Sequence, residues 1–364
     1  MKNYAFEVMA LDADFNIVSL LRYTNLQWTR KFYEAGTFSV QIPLSQYNPG
    51  FKYIYTKDRP EVGEISQINF IDNTTVNLSG YFLEEKLNRR ICYQKPSKTN
   101  ITNNPDWITQ SGAAEDVACA FFDAFKDIKF TQDDATLMCE LGIESCVSSA
   151  RGLSVEHTRD NSGLGDKLHS ILRPSLMSYR VNYNFAQNKA ALEIVESVDC
   201  SQNNPYQNNP VIFSTRYGNL RNPNIVLSDT DYKNCYIACT KSGNYDIIVA
   251  EAKSLRKDSD TAYRFLFVDA NENRSDYSSD EEFSTAINAV GKNELDNHRI
   301  TMSFDFEATM GSYEYMTDFD IGYICSLEVA ELGLSEDVVL IECAEVIKEG
   351  TWSMTMEFDK EENI

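Results

Sequence analysis

Three histidines, nine cysteines and fifty-five carboxylates are the groups in this chain most able to do chemistry. His157, His169 and His298 stand apart, and none has neighbours at the spacing of a zinc set or a nucleophile–base pair. His169 falls on the polar side of a short amphipathic segment, where a solvated imidazole is expected. Ser162-Gly163-Leu164-Gly165 has the look of a phosphate loop. It lacks the third glycine, the Lys-Ser/Thr and a buried strand before it, so it reads as the entry to a helix. Asp269-Ala270-Asn271-Glu272-Asn273 matches the first three ligand positions of a calcium loop. Arg274 stands where a glycine makes the turn, and Asp280 where a bidentate glutamate would close the shell, so the string reads as an acidic loop before a helix. Asp318-Phe319-Asp320 could face a cation, but alternation at a strand end accounts for it. Cys235 and Cys239, four apart on one strand face, read as small core residues. Carboxylate pairs are unavoidable among fifty-five, so no glycosidase follows from them. The sequence predicts no catalytic residue, no metal site and no cofactor.

The odd cysteine count, with no Cys-x-x-Cys, predicts reduced thiols in a cytoplasmically made protein and argues against a disulfide scaffold or zinc knuckle. Glu7, Asp12 and Asp14 interrupt what a signal peptide keeps apolar, which argues against Sec export. No apolar run reaches the roughly 18 residues of a membrane helix; the densest, Val338-Val339-Leu340-Ile341, has the length of a buried strand.

The elements that would position these groups are mainly strands. Phe38, Val40 and Ile42 alternate with Thr37, Ser39 and Gln41, and the same period of two runs through Tyr179–Phe185, Ile300–Glu307 and Thr351–Phe358. Shorter candidates are Phe6–Ala10, Ile65–Ile71, Thr75–Ser79, Tyr232–Cys239, Asp246–Ala250 and Tyr263–Val268. Three segments carry helical spacing. Residues 113–128 align Val117, Phe121, Ala124, Phe125 and Ile128, and residues 165–173 align Leu168, Ile171 and Leu172 before Pro174. The third opens with the capping box Ser279-Asp280-Glu281-Glu282 and is expected to end at Gly291. The class is α+β, mainly antiparallel β. A length of 364 residues implies two to four domains, and polar joins at 95–106, 200–210 and 269–280 mark candidate boundaries.

The net charge of −22 is uneven. Residues 1–94 balance ten Lys/Arg with ten Asp/Glu, whereas residues 299–364 hold three against sixteen. Duplex binding needs the opposite sign to displace phosphate counterions. The acidity fits either a very soluble protein or a surface that DNA passes without sticking.

Trp28-Thr29-Arg30-Lys31-Phe32-Tyr33-Glu34-Ala35-Gly36-Thr37-Phe38, leading into an alternating strand that ends at Pro43, resembles the opening of tail hub (baseplate hub) proteins of long-tailed bacteriophages and prophages. Gly80 to Ile91, including Arg89 and Arg90, is similar to the closure of their first barrel. Asp160–Pro174 resembles their middle helix, and Ile212–Leu220 the start of a second barrel. Asp318-Phe319-Asp320-Ile321-Gly322-Tyr323 resembles the element returning to it, with Tyr323 in place of an acidic residue. The resemblance implies two similar β-barrel tube domains and two smaller α+β domains: a first barrel at 1–94, a middle α+β domain at 95–205, a second barrel from 206–240 with 300–364, and an insertion at 241–299. It implies a non-enzymatic, homotrimeric virion protein, made in the bacterial host cytoplasm, that joins a sixfold tail tube to a threefold tip. Its partners would be a distal tube protein and a tail-tip or receptor-binding protein. DNA would pass through without specific binding. If the acidic segment 299–364 belongs to the second barrel, its charge makes Glu307, Glu314 and Glu328 the expected channel lining. A receptor-binding or wall-degrading region would be a separate polypeptide, since the sequence ends six residues after Phe358. The alternatives are a carbohydrate-binding tail-tip module, suggested by twenty tyrosines, and a tail-associated cell-wall hydrolase.

Overall fold

The computed structural model describes residues 6–93, 101, 105–132, 135–242, 244–249, 264–270, 274–296, 298, 301–308 and 313–360. The join at 95–106 and the end of the calcium-like string, 271–273, lie largely or wholly outside these. The chain forms two compact units, Met1–Pro223 with Asp305–Ile364, and Asn224–Phe304.

The first unit begins with seven antiparallel strands: β1 (Val8–Leu11), β2 (Ile17–Leu20), β3 (Asn25–Lys31), β4 (Thr37–Pro43), β5 (Tyr53–Thr56), β6 (Val62–Phe70) and β7 (Thr75–Phe82). The alternation in β4 buries Phe38, Val40 and Ile42. Opposite them on β7 stand Gly80, Leu78 and Val76, so parity puts both apolar sets on one face. With Leu26, Trp28 and Phe82 they make one core. A register shift between Ile65 and Gln67 turns the far half of β6 outward.

A middle α+β region follows: β8 (Thr109–Ala113), α1 (Ala114–Phe125), β9 (Ile128–Gln132), β10 (Ala135–Cys139), β11 (Ile143–Glu144), β12 (Ser154–Thr158), α2 (Leu164–Leu172), β13 (Met177–Asn184) and β14 (Lys189–Glu196). Phe121, Phe122 and Phe125 of α1 share a core with Leu168, Ile171 and Leu172 of α2 and with Tyr179 and Val181 of β13. Full burial of each phenylalanine contributes about 2–3 kcal/mol. The first helix stops at Phe125, and Ile128, expected on its apolar face, instead opens β9.

The chain then adds β15 (Ile212–Ser214), β16 (Leu220–Ser228), β20 (Thr301–Ala308), β21 (Ile324–Val329), β22 (Leu334–Lys348) and β23 (Thr351–Asp359), with β17 (Cys235–Ser242), β18 (Asn244–Val249) and β19 (Phe265–Asp269) between β16 and β20. The main sheet runs β16-β20-β23-β22-β3-β4-β7-β6-β5-β1-β2, with β21 also on β22 and β15 parallel to β21. β3 is therefore flanked by β4 and by β22, which join the first and last strand clusters.

The second unit sets α3 (Asp280–Asp296) against a sheet ordered β18 (Asn244–Val249), β17 (Cys235–Ser242), β19 (Phe265–Asp269). Ser279 Oγ accepts the Glu282 amide at 3.1 Å, as a capping box requires, but Glu282 returns to the Ser278 amide at 3.0 Å, one residue earlier than expected. Gly291 does not end the helix. It lies inside it, where a Cβ would fall 2.3 Å from the Tyr236 ring, so the glycine permits helix–sheet packing.

Two further expectations are corrected. Cys119 on α1 and Cys146 are disulfide-bonded, their Cα atoms 5.2 Å apart, so the thiols are not all reduced. Asp123, one turn beyond Cys119, accepts the Cys146 amide at 3.3 Å and holds that segment on the helix. His169 is not solvated: its ring stacks on Tyr179 at 4.4 Å, and both ring nitrogens are buried without hydrogen-bond partners. Burial pushes its pKa down to about 4.

Candidate functional site

The densest concentration of buried charge in the first unit lies where β3 meets the return of the chain. Parity places Arg30 on the same face of β3 as Leu26 and Trp28, so the strand that buries a tryptophan also buries a guanidinium. Arg30 Nε donates to Glu61 Oε1 at 2.5 Å, and Nη1 donates to the Tyr315 hydroxyl at 2.8 Å and to Asp320 Oδ1. Arg59 holds Glu345 of β22 with two parallel bonds, one of 2.6 Å from Nε. Trp352 Nε1 donates to the same carboxylate at 3.2 Å. The Tyr315 ring joins the two pairs, with Arg30 and Arg59 5.7 and 5.6 Å from its centroid. Burial raises the Tyr315 hydroxyl well above its usual pKa even with Arg30 beside it, so it remains a neutral donor and acceptor.

Three arginines meet three carboxylates here, because Arg180 of β13 reaches Asp320 at 3.8 Å. The cluster is close to neutral, as buried ions need to be. A fourth carboxyl, Glu84, accepts the Val181 amide at 3.0 Å. Burial raises it to about 7, with nearby Glu61 adding to the shift and Arg180 opposing it.

The resemblance motifs build the frame of this seam. Trp28 packs against Phe82 at 4.7 Å and Phe38 at 6.1 Å. Gly36 admits the Phe82 ring, 2.6 Å from where a Cβ would be, and at Gly80 a Cβ would fall 1.9 Å from the Glu64 carbonyl. Arg89 pairs with Glu64 at 2.7 Å, and Arg90 donates to the Lys126 carbonyl at 2.9 Å. Asp318 ends a turn over residues 316–318 and Phe319 makes an isolated bridge to Tyr315, so Asp318-Phe319-Asp320 is not the end of a longer strand. Asp318 accepts the Glu314 amide at 2.6 Å, Phe319 is buried, and Asp320 turns to Arg30. Gly322 has φ +86°, and the Phe32 ring lies 2.3 Å from its would-be Cβ. Of the carboxylates expected along a channel, Glu307 lies on β20, Glu314 is exposed, and Glu328 is half-buried on β21.

Arg30, Arg59, Glu61, Tyr315 and Glu345 were not singled out by the sequence. The signal was present as a charge at an inward parity: Arg30 two beyond Trp28, and Glu345 between Cys343 and Ile347, both buried. The acidic C-terminal segment spends part of its charge inside the chain. Glu342 pairs with Lys31 at 3.2 Å and Asp359 with Arg173 at 2.9 Å, alongside Glu345–Arg59 and Asp320–Arg30.

Guanidinium groups do not give up protons near neutral pH. Burial pushes the Cys92 thiol to about 12 and raises Cys325 and Cys343 as well, which removes them as nucleophiles. Burial lowers His157 to about 4, leaving it neutral. Among the described residues no three His, Cys, Asp or Glu side chains are grouped to hold a metal ion.

The strand-rich fold is similar to that of solved phage tail proteins. The 43 kDa tail protein of prophage MuSo2 from Shewanella oneidensis superimposes with a TM-score of 0.53 at 10% identity, covering 98% of each chain. A tail protein from Neisseria meningitidis MC58 gives 0.51 at 11% identity, covering 98% of this chain and 97% of that one. No curated protein matches the sequence. The Siphovirus ReqiPepy6 Gp37-like protein family matches residues 7–358, and the chain belongs to that family of siphovirus tail proteins.

Proposed function

We propose that this protein is the hub of a long phage tail. Three copies join the sixfold tail tube to the threefold tip, and DNA passes through their centre. The observation that carries this reading is the joining of two strand clusters, one from each end of the chain, through β3 and β22. Two tube domains per copy would let a trimer offer six similar positions upward and three downward. On this reading the sheet belongs to two barrels, at 1–94 and at 206–240 with 300–364, the two α+β parts lie outside them, and the role is structural, not catalytic. The partners are a tube protein above and a tail-tip or receptor-binding protein below, within a virion assembled in the bacterial cytoplasm.

The acidic segment supports a DNA passage: its carboxylates, Glu307, Glu314 and Glu328 among the candidates, would repel phosphate. Light scattering of the chain, alone and with its tube neighbour, should give a trimer, and negative-stain images a ring with a central opening. A monomer under both conditions overturns the reading. Replacing the three glutamates by glutamine should slow DNA ejection and leave assembly intact; unchanged ejection removes the channel role.

A further inference from the structure

A cavity of about 240 Å³ lies in the first unit between the β1–β2 turn, the 3-10 helix Leu83–Arg89, and strands β13 and β14. Its apolar wall includes Leu83, Leu141 and Val181, and its polar lining includes Lys86, Asp14 and Asn188. Two features of this lining are not explained by packing alone.

The first is Lys86. Its ammonium is half-buried, lies 5.1 and 5.7 Å from the ring centroids of Tyr53 and Phe15, and donates to the Tyr53 hydroxyl at 3.2 Å. Among the described residues it forms no ion pair. Of the nearby carboxylates, Glu64 is already held by Lys52 at 2.9 Å and Arg89 at 2.7 Å, and Asp14 lines the same cavity without an ion pair to Lys86. A partly desolvated cation without a counter-charge is an unfavourable arrangement in an empty cavity and a favourable one with an anion present.

The second is Phe15. Its φ of +60° is a left-handed conformation that a bulky side chain rarely adopts. That backbone places the ring between Tyr53, at 4.1 Å and 11°, and Tyr183, at 3.9 Å and 13°. The two tyrosines cover both faces of the Phe15 ring, so the stack presents the edge of Phe15 and the side of Tyr183 to the cavity that Lys86 also lines. Asp14, exposed on the rim of the same cavity, opposes any anion there, weakly because solvent screens it and more strongly the greater the occupant's charge.

We propose that this cavity binds a single carboxylate on a short apolar body, chemistry shared by a free small acid and by the C-terminal residue of a polypeptide. Lys86 is the counter-charge, and the leucine–valine wall, with the exposed edge of Phe15 and the side of Tyr183, receives the apolar body.

The test titrates the full chain with N-acetyl-leucine, N-acetyl-leucinamide and acetyl-Gly-Gly-Leu, using calorimetry and saturation-transfer NMR. N-acetyl-leucine should bind about tenfold more tightly than its amide. Lys86→Met should abolish that difference. If the tripeptide binds more tightly than N-acetyl-leucine, the occupant is a chain terminus; equal affinity indicates a free acid. Equal binding of acid and amide to the unaltered chain overturns the proposal, as does failure of all three probes to bind. Both results are read on the natural protein, so they do not depend on how Lys86→Met folds.

Discussion

Asp320 closes on Arg30 across 290 positions of sequence, inside a cluster where Glu61 and Tyr315 take two further guanidinium bonds. One interaction therefore ties the return turn of the chain to a strand laid down near its beginning.

Removing one member of this cluster should cost far more than removing Arg30 together with both carboxylates it holds. Asp320→Asn leaves Arg30 buried and under-compensated, a loss of about 3 kcal/mol in urea unfolding. Combining Arg30→Met with Glu61→Gln and Asp320→Leu, so that no carboxylate faces the lost guanidinium, should recover much of that. Simple additivity of the single variants would show that these side chains do not act together.

Glu84 predicts a pH dependence. Its folded pKa is raised to about 7 from an unfolded value near 4.5. The stability it contributes is fully present below about pH 4.5 and is lost as pH rises through 7. The unfolding midpoint of the natural chain should fall across that window relative to Glu84→Gln. Parallel pH profiles for the two proteins would mean that Glu84 titrates normally.

Two glycines should respond differently to alanine. A Cβ at Gly80 meets the Glu64 backbone carbonyl at 1.9 Å, which cannot retreat without unpairing β6 from β7. At Gly291 it meets the Tyr236 ring, and the helix interior returns up to about 1 kcal/mol for replacing glycine. Gly80→Ala should lower the melting temperature well below that of Gly291→Ala, and the reverse order would count against the close approach at the β6 irregularity.

Thiol titration checks the disulfide. Denatured without reductant, the chain should expose seven reactive thiols, and nine after reduction. Nine in both states would mean that Cys119 and Cys146 are unlinked. Closing a loop across a sequence separation of 27 should stabilise the fold by about 3 kcal/mol, measurable with Cys119→Ser/Cys146→Ser.

Period-two runs in β4, β13 and β23 were legible because one face of each meets the core, and Phe38, Val181 and Met356 are buried accordingly. The entry to α2 was legible from Gly163 and Leu164, which begin it. Gly291 was misread because a glycine looks the same whether it ends a helix or admits a ring. The disulfide left no local mark, since Cys119 and Cys146 are brought together by the packing of a loop on a helix. The seam was hidden for a similar reason. Arg30 looks like any surface arginine until β22 is known to lie beside β3, and that pairing depends on residues more than three hundred positions away.

That adjacency bears on how the protein is made. While the ribosome is still working, β3 can pair with β4, but its other side has no partner until β22 emerges roughly three hundred residues later. Until then Arg30 and Arg59 wait without Asp320 and Glu345, and an open hydrogen-bonding row is offered to any neighbouring chain. Synthesis halted before β22 should leave sticky fragments, and complete chains should acquire their resistance to proteolysis late and in one step.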